Sequence, residues 1–243
     1  MNIAELSLDN IQNYGEYTAL WFDDRRITNV QRYEDACTVA TMLQNHGVSP
    51  GDRVIVMLLN SPDVMSAFTA IWKIGAEIIP VTPAWTAREV RYLMLDSGAS
   101  IVITSSELAS RLVEAARGIE TIREILVIGE TDTPGVTEIA TEMESAEPYE
   151  PIFDAAPDDM AMLLYTSGTT GDPKGVILSH ENLLSANEMF LRNAEGIHDV
   201  RTVSALPLSH IYGVIVMNMG FSLGTRVRIL RKWDTRAVCV RGD

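Results

Sequence analysis

The 243-residue sequence predicts an α/β fold in which mostly parallel sheets are flanked by helices. Short apolar runs that are typical of buried strands alternate with segments that carry helical spacing and helix-capping residues. Strand–helix–strand repeats of this length favour a parallel sheet with helices on both faces. Hydrophobic residues make up 47% of the chain and charged residues 21%, so the chain can bury a substantial core.

The strands are predicted from apolar runs that are bounded by turn residues. Near the start of the chain, Thr18 to Phe22 and Arg26 to Thr28 flank the turn at residues 23–25 and predict a small hairpin. The predicted buried strands that follow are Arg53 to Leu59, Ile78 to Val81, Ser100 to Thr104 and Ile125 to Ile128.

The helices between these strands are predicted from their start and stop signals. Thr28 with Gln31 and Thr86 with Glu89 match the capping box, in which each side chain bonds the backbone of the other residue. Ser61 and Pro62 are predicted to be the cap and the first-turn proline of another helix. The helices from these starts are expected to stop at Gly47, Gly75 and Gly98, and a further helix is expected near Glu107 to Arg117.

The chain is predicted to fall into three segments. Residues 1–130 form an α/β sub-lobe, residues 131–158 are a connecting segment rich in Pro, Thr, Glu and Gly, and residues 159–243 start a second α/β sub-lobe. The elements predicted in the last segment are a strand–loop–strand unit, a helix from about Glu181 to Ala194, strands at Thr202 to Leu206 and Arg226 to Leu230, and an apolar helix that ends at Leu223.

The loop of that strand–loop–strand unit carries the strongest chemical signal. Residues 165–175 read YTSGTTGDPKG. The glycines allow backbone N–H groups to turn inward, the hydroxyls add donors, and Lys174 supplies a cation. Such a concavity suits an oligophosphate, and the alternative is an ordinary Ser/Gly-rich surface turn. The loop does not match the Walker pattern, and the chain contains no GxGxxG fingerprint.

The run TSGTTGDPKG closely resembles the phosphate loop of the AMP-forming acyl-CoA synthetases. This adenylate-forming family also includes luciferases and peptide-synthetase adenylation domains. Residues 73–97, KIGAEIIPVTPAWTAREVRYLMLDS, resemble another segment of the family. The resemblance implies the N-terminal sub-lobes of an adenylate-forming enzyme and a loop that holds the β- and γ-phosphates of ATP. The implied nucleotide-binding residues are Thr166, Ser167, Gly168, Thr169, Thr170, Gly171 and Lys174.

The segment PLSHIYG, residues 207–213, resembles the next motif of the family, where a histidine at the start of a helix borders the acid pocket. The resemblance makes His210 the candidate catalytic residue and places it, Tyr212 and Gly213 in the substrate pocket. A helix N-terminus there favours a carboxylate. The alternatives are an ordinary junction histidine and a tyrosine packed in the core. HIY resembles the aryl-acid ligases, and the motif lacks the aspartate of amino-acid-activating domains.

The resemblance implies an ATP-dependent carboxylic acid–CoA ligase that converts a fatty or aryl acid and ATP to acyl-AMP and pyrophosphate, and then to acyl-CoA. ATP, Mg²⁺ and coenzyme A are the implied cofactors. The family's adenine, ribose and catalytic-lysine motifs do not occur in the chain, so the resemblance covers the N-terminal portion with the C-terminal half missing. We therefore expect the isolated chain to be inactive and to self-associate through its truncated face. The alternative is a catalytically inactive remnant, or an interaction or anion-binding domain of the same fold.

The charge and the cysteine content narrow the partners and the compartment. The formal net charge of −14 argues against nucleic acid, whose phosphates require a basic face. Cys37 and Cys239 have neither disulfide nor metal-ligand spacing, which favours a reducing compartment and predicts no protein-bound metal. The N-terminus lacks signal-peptide features, and the most apolar stretch, residues 211–223, is too short to span a bilayer. The sequence predicts a cytoplasmic protein without a transmembrane segment.

Overall fold

The computed structural model describes residues 1–166, 173–194, 200–233 and 235. In chain order the elements are α1 (Glu5–Tyr14), β1 (Thr18–Phe22), β2 (Arg25–Thr28), α2 (Asn29–Asn45), β3 (Arg53–Met57), α3 (Pro62–Lys73), β4 (Glu77–Pro80), α4 (Ala87–Ser97), β5 (Ile101–Ser105), α5 (Ser106–Ala116), β6 (Glu124–Ile128), β7 (Thr137–Glu138), α6 (Ala140–Ser145), β8 (Met160–Thr166), β9 (Lys174–Ser179), α7 (His180–Leu191), β10 (Arg201–Ser204), α8 (Ile211–Leu223) and β11 (Arg226–Ile229). The predicted alternation of strands and helices is confirmed.

The larger sheet has seven strands in the order β7-β6-β5-β3-β4-β8-β9 within the described residues. Every pairing in it is parallel except the β8–β9 hairpin. Along β3, Val54 and Val56 pack into one buried cluster, whereas Ile55 and Met57 pack into the other. Because successive strand residues point to opposite faces, the two clusters are the cores on the two faces of this sheet. This arrangement confirms the predicted α/β class.

The smaller sheet has four strands in the order β10-β11-β1-β2 within the same residues. The predicted hairpin of β1 and β2 is present, and β1 also pairs in parallel with β11. The late hairpin β8–β9 lies instead beside β4 of the larger sheet. Each sheet therefore combines strands from the first and the last of the three predicted segments. The division of the chain at residues 131–158 stays a prediction.

Both predicted capping boxes are present in the structure. The hydroxyls of Thr28 and Thr86 accept hydrogen bonds from the backbone N–H groups of Gln31 and Glu89, and each of these side chains accepts one in return. Ser61 stands at the N-cap position of α3 as predicted, but its hydroxyl accepts no cap hydrogen bond and donates instead to the carboxylate of Asp63 at 3.0 Å. Capping is local chemistry, so the sequence predicts the starts of α2 and α4 well.

Helix α1 was not predicted, and tertiary contacts explain why it forms. Ile3 and Leu6 are buried, although the first residues show no clear helical period. The backbone N–H of Ile3 donates to Nδ1 of His180 at 3.1 Å, and the side chain of Asn10 donates to the backbone oxygen of Phe221 at 2.6 Å. These bonds hold α1 against α7 and α8, which lie far away in the sequence.

The connecting segment is held to the core by a buried lysine. Lys73 is fully buried, and its Nζ donates to the hydroxyl of Tyr33 at 2.8 Å and to the backbone oxygen of Glu150 at 2.7 Å. The backbone N–H of Phe153 donates to the backbone oxygen of Lys73. Burial lowers the pKa of Lys73. The segment that the sequence predicts as irregular is therefore bound closely to α2 and α3, and it also contains β7 and α6.

Within the described part of the chain, no helix combines the length and the apolar character that crossing a bilayer requires.

Candidate functional site

A cleft of about 340 Å³ lies where β4 and β8 end. These two strands are parallel, so their carboxyl ends meet at one edge of the larger sheet, where ligands of open α/β sheets bind. The lining comes from the residues after β4, from the end of β8, and from the segment that leads into α8. The lining residues are Pro80, Thr82, Trp85, Leu164, Tyr165, Thr166, Pro207, Ser209, His210 and Ile211.

Thr166 and Lys174 stand at the two ends of the predicted phosphate loop. They are cross-strand partners in the β8–β9 hairpin, and the hydroxyl of Thr166 donates to the backbone oxygen of Lys174 at 3.5 Å. Both residues are exposed. The strand–loop–strand prediction is thus confirmed for the strands, and Thr166 reaches the cleft. The other predicted nucleotide-binding residues lie outside the described residues: Ser167, Gly168, Thr169, Thr170 and Gly171.

Tyr165 anchors the end of β8. Its hydroxyl donates to the carboxylate of Asp96 on α4 at 2.6 Å, while its ring packs into the core beneath the cleft. Burial raises the pKa of Tyr165 above its usual range, and the neighbouring carboxylate of Asp96 raises it further. The tyrosine therefore stays protonated and keeps donating at neutral pH. This bond fixes the point at which the chain leaves the sheet for the loop.

His210 is the N-cap residue of α8, so the predicted histidine at the start of a helix is confirmed. Its backbone is extended, with φ −108° and ψ 144°, and its Nδ1 accepts a hydrogen bond from the backbone N–H of Tyr212 at 3.2 Å. Because Nδ1 acts as the acceptor, the neutral ring carries its proton on Nε2. The exposed His210 thus offers an N–H donor at the cleft, next to a helix N-terminus.

Tyr212 and Gly213 are not among the residues that line this cleft. The side chain of Tyr212 is 49% exposed. Gly213 is buried, and a β-carbon at this position would lie 2.2 Å from the backbone oxygen of Pro207. The geometry therefore explains the glycine by the close approach of α8 to the preceding segment. Their assignment to the substrate pocket stays a prediction.

Asn60 is a site-positioning residue that the sequence analysis missed. It is buried three positions beyond the end of β3, and its side-chain amide donates to the backbone oxygen of Leu206 at 2.8 Å. Its Oδ1 accepts from the backbone N–H of Leu208 at 3.0 Å. One side chain thus holds both sides of Pro207 and places the segment that ends at His210. The only sequence signal was a polar residue at the carboxyl end of a buried strand.

The electrostatics of the cleft differ from those of the whole chain, which has a formal charge of −14. No carboxylate belongs to the described lining, whose polar groups are backbone, hydroxyl, indole and imidazole groups. The described residues also contain no group of three or more His, Cys, Asp or Glu that could hold a metal ion. With the exposed Lys174 at the end of the loop, the cleft can accept an anionic ligand without placing like charges together.

The family profile described as AMP-binding enzyme matches residues 8–241 of the chain. The chain belongs to the AMP-binding enzyme family. This AMP-binding chain is 28% identical over 264 residues to the long-chain-fatty-acid–CoA ligase of Bacillus subtilis strain 168. The alignment covers 96% of the chain and 46% of the relative. It is 32% identical over 206 residues to 4-coumarate–CoA ligase 1 of Oryza sativa subsp. japonica, which covers 79% of the chain and 36% of the relative. The chain spans about half the length, or less, of these relatives.

Solved structures support the same assignment for the AMP-binding chain. The inhibitor-bound N-terminal domain of FACL13 from Mycobacterium tuberculosis matches with a TM-score of 0.87 at 26% identity, covering 97% of the chain and 59% of that structure. The anthranilate CoA ligase AuaEII in complex with anthranoyl-AMP matches with a TM-score of 0.89 at 24% identity, covering 96% and 45%, and this likeness shows the fold alone. The predicted resemblance to the N-terminal portion of the acyl-CoA synthetases is confirmed.

Proposed function

We propose that this chain is the part of an AMP-forming carboxylic acid–CoA ligase that holds the phosphates of ATP and one wall of the acid pocket. One observation carries the proposal: a single cleft brings Thr166, at the start of the phosphate loop, together with His210, at the N-terminus of α8. These two residues are far apart in the sequence. The names of the fatty-acid and 4-coumarate ligases among the relatives support the reaction class.

The proposed roles follow from charge and hydrogen-bonding capacity. Lys174 and the hydroxyls and amides of the loop that starts at Thr166 hold the β- and γ-phosphates, because several fixed donors spread the negative charge. The Nε2–H of His210 and the start of α8 orient the acid carboxylate or the phosphate oxygens beside it. Positioning and electrostatics, rather than covalent help from the protein, are the contribution of these groups. Bound ATP supplies the α-phosphate that the acid attacks and the pyrophosphate that leaves.

We assign Mg²⁺ and coenzyme A to the complete reaction. The described lining of the cleft offers Mg²⁺ no carboxylate, so phosphate oxygens and water would be its ligands on this side. The acid is fatty or aryl, since Pro80, Trp85, Leu164 and Ile211 give the cleft an apolar wall. The cavity of about 40 Å³ beneath α8 is too small to hold a long acyl chain by itself, so a fatty acid would have to lie along the cleft.

A second candidate function is an anion-binding or interaction domain of the same fold that performs no adenylation. The exposed Val176 and Ile177 on the edge strand β9, 43% and 65% exposed, favour self-association in either case. We also propose a cytoplasmic location, which is supported by the absence of disulfide spacing and of a membrane-spanning helix within the described residues.

The test measures ATP binding and acid-dependent ATP–pyrophosphate exchange on the same protein. Lys174→Ala should weaken ATP binding by at least about tenfold, the size of one charge-assisted contact, whereas Lys232→Ala, an exposed lysine outside the cleft, should not. A folded chain that does not bind ATP would contradict the proposal. Lys174-dependent exchange, or ATP binding that fatty or aromatic acids strengthen, would support the ligase. ATP binding that no acid alters would support the anion-binding alternative.

A further inference from the structure

A second cavity, of about 40 Å³, lies between α8 and the smaller sheet. Its walls are mainly apolar side chains of α8, α3 and the strands β1, β10 and β11, among them Leu20, Met65 and Ile229. Arg32 of α2 also lines it. We propose that this cavity binds a small monovalent anion, chloride or a carboxylate as small as formate, through the guanidinium of Arg32.

The burial of Arg32 is the observation that carries the proposal. Its relative exposure is only 3%. Within the described residues, its one hydrogen bond runs from Nη2 to the hydroxyl of Ser7 at 3.1 Å. Its Nε is buried and has no partner there. A guanidinium carries five N–H donors in a fixed fork, so this side chain keeps donor capacity that the described protein groups do not use.

No carboxylate among the described residues balances the charge of Arg32. Its guanidinium carbon lies 3.8 Å from the centre of the Phe221 ring, which orients the group and offsets part of its charge. Burial lowers the pKa of Arg32 to about 10, so it still carries its proton at neutral pH. A buried cation without an ionic partner is strongly disfavoured, because the aromatic ring replaces only part of the lost hydration. An anion from solution would supply the missing charge.

The size and the donors of the cavity select the anion. About 40 Å³ is room for roughly three water molecules, or for one small anion with a water. Ser204 lines the same cavity and adds a hydroxyl donor, whereas the hydroxyl of Thr225 in the lining donates to the backbone oxygen of Gly220 at 3.5 Å. Apart from these hydroxyls and Arg32, the lining side chains are apolar. Multiply charged or branched anions would be too large or would leave charge unbalanced. The site is separate from the cleft of Thr166 and His210, so it does not depend on the proposed function.

The first experiment measures thermal unfolding at constant ionic strength while chloride or formate replaces gluconate, which is too large for the cavity. When chloride or formate is present at ten times its Kd, the melting temperature of the wild-type chain should be roughly 3 °C higher than in gluconate. Arg32→Leu should abolish this dependence and should melt in gluconate at or above the wild-type temperature, since it removes a buried unpaired charge. Arg88→Leu, an exposed arginine on α4, should keep the dependence. Equal dependence in the wild type and Arg32→Leu would overturn the proposal.

The second experiment needs no variant. Crystals of the wild-type chain soaked in bromide should show an anomalous peak in this cavity, in contact with the guanidinium of Arg32. Bromide bound only elsewhere, or a cavity filled only by water, would overturn the proposal even if Arg32→Leu failed to fold.

Discussion

The backbone N–H of Leu208 donates to Oδ1 of Asn60 at 3.0 Å across 148 residues of sequence. Asn60 follows β3 of the larger sheet, whereas Leu208 follows β10 of the smaller sheet. Its amide also donates to the backbone oxygen of Leu206. His210, the N-cap residue of α8, lies two positions beyond Leu208. These two hydrogen bonds of Asn60, called the Asn60 clamp below, therefore fix the position of the His210 imidazole relative to Thr166.

Asn60→Ala should therefore disturb the site without touching a ligand. It leaves the backbone groups of Leu206 and Leu208 without their partner, which should cost about 1–3 kcal/mol of stability and shift the ring signals of His210 in NMR spectra. Asn60→Asp separates the two kinds of bond, because its carboxylate still accepts from Leu208 N–H but cannot donate to the backbone oxygens of Leu206 and Leu230, so it should also shift the His210 signals. Unchanged His210 signals in Asn60→Ala would contradict the positioning role.

Gly213→Ala should destabilise the fold. The added β-carbon would lie 2.2 Å from the backbone oxygen of Pro207, so backbone must shift, at a cost of about 1–3 kcal/mol. Gly220→Ala is the control on the same helix, since its β-carbon would meet only the hydroxyl of Thr225 at 2.9 Å, which can move. Urea unfolding measures both variants. Gly213→Ala as stable as Gly220→Ala would argue against close packing at this point.

The two carboxylate contacts of His46 lead us to expect that the free energy of unfolding falls as the pH rises. Its Nδ1 lies 2.8 Å from the carboxylate of Glu124 on β6, and its Nε2 lies 2.9 Å from that of Glu142 on α6. Burial lowers the pKa of His46, but the hydrogen bonds to Glu142 and Glu124 outweigh this and raise it above its usual value near 6.5. Burial raises the pKa of Glu124, but hydrogen bonds from Thr137 and His46 outweigh it and hold this pKa below its usual value, with the charges of His46 and Arg123 acting in the same direction.

The folded state holds the His46 proton more tightly than the unfolded state does. The contribution of His46 to the free energy of unfolding is therefore complete below pH 6.5 and is lost as the pH rises through the pKa of His46 in the folded state. We expect about 1 kcal/mol, which thermal unfolding between pH 5.5 and 8.5 should reveal as a decline of roughly 3 °C. Glu142→Gln removes one of the two carboxylates and should flatten the decline. An equal decline in Glu142→Gln would show that another group titrates.

His180 predicts the opposite pH dependence. The buried His180 accepts a hydrogen bond at Nδ1 from the backbone N–H of Ile3. Burial lowers the pKa of His180 to about 4; the charge of Asp159 opposes this shift, and the charge of the chain N-terminus adds to it. Its contribution is therefore complete above pH 6.5 and is lost as the pH falls towards 4, by up to about 3 kcal/mol. Asn in its place keeps an acceptor but does not titrate. His180→Asn should flatten the acid limb of the stability curve, and an unchanged acid limb would contradict the assignment.

Local chemistry made the elements of the larger sheet predictable. The capping boxes of Thr28 and Thr86 and the apolar runs that became β3 to β6 depend on neighbours within a few residues. Helix α1 escaped prediction because its partners, His180 and Phe221, are distant in sequence. The parallel pairing of β1 with β11 was missed for the same reason, since nothing local records which strands meet.

The site was predictable where a motif carries it. The resemblance of TSGTTGDPKG and PLSHIYG led to Thr166 and His210, which the fold brings to one cleft. Asn60 and Tyr165 were not found, because their roles consist of hydrogen bonds to Leu208 and Asp96 that exist only after folding. The closeness of Gly213 to Pro207 is likewise a product of packing and not of spacing.

The sequence by itself determined the α/β class, the starts of α2 and α4, and the family, because periodicity, capping and motif are properties of neighbouring residues. The tertiary structure alone decided the order of the strands, the meeting of Thr166 with His210, the Asn60 clamp and the burial of Arg32 beside a cavity. These depend on contacts between distant segments, whose free energy is gained only when the whole chain packs and excludes water.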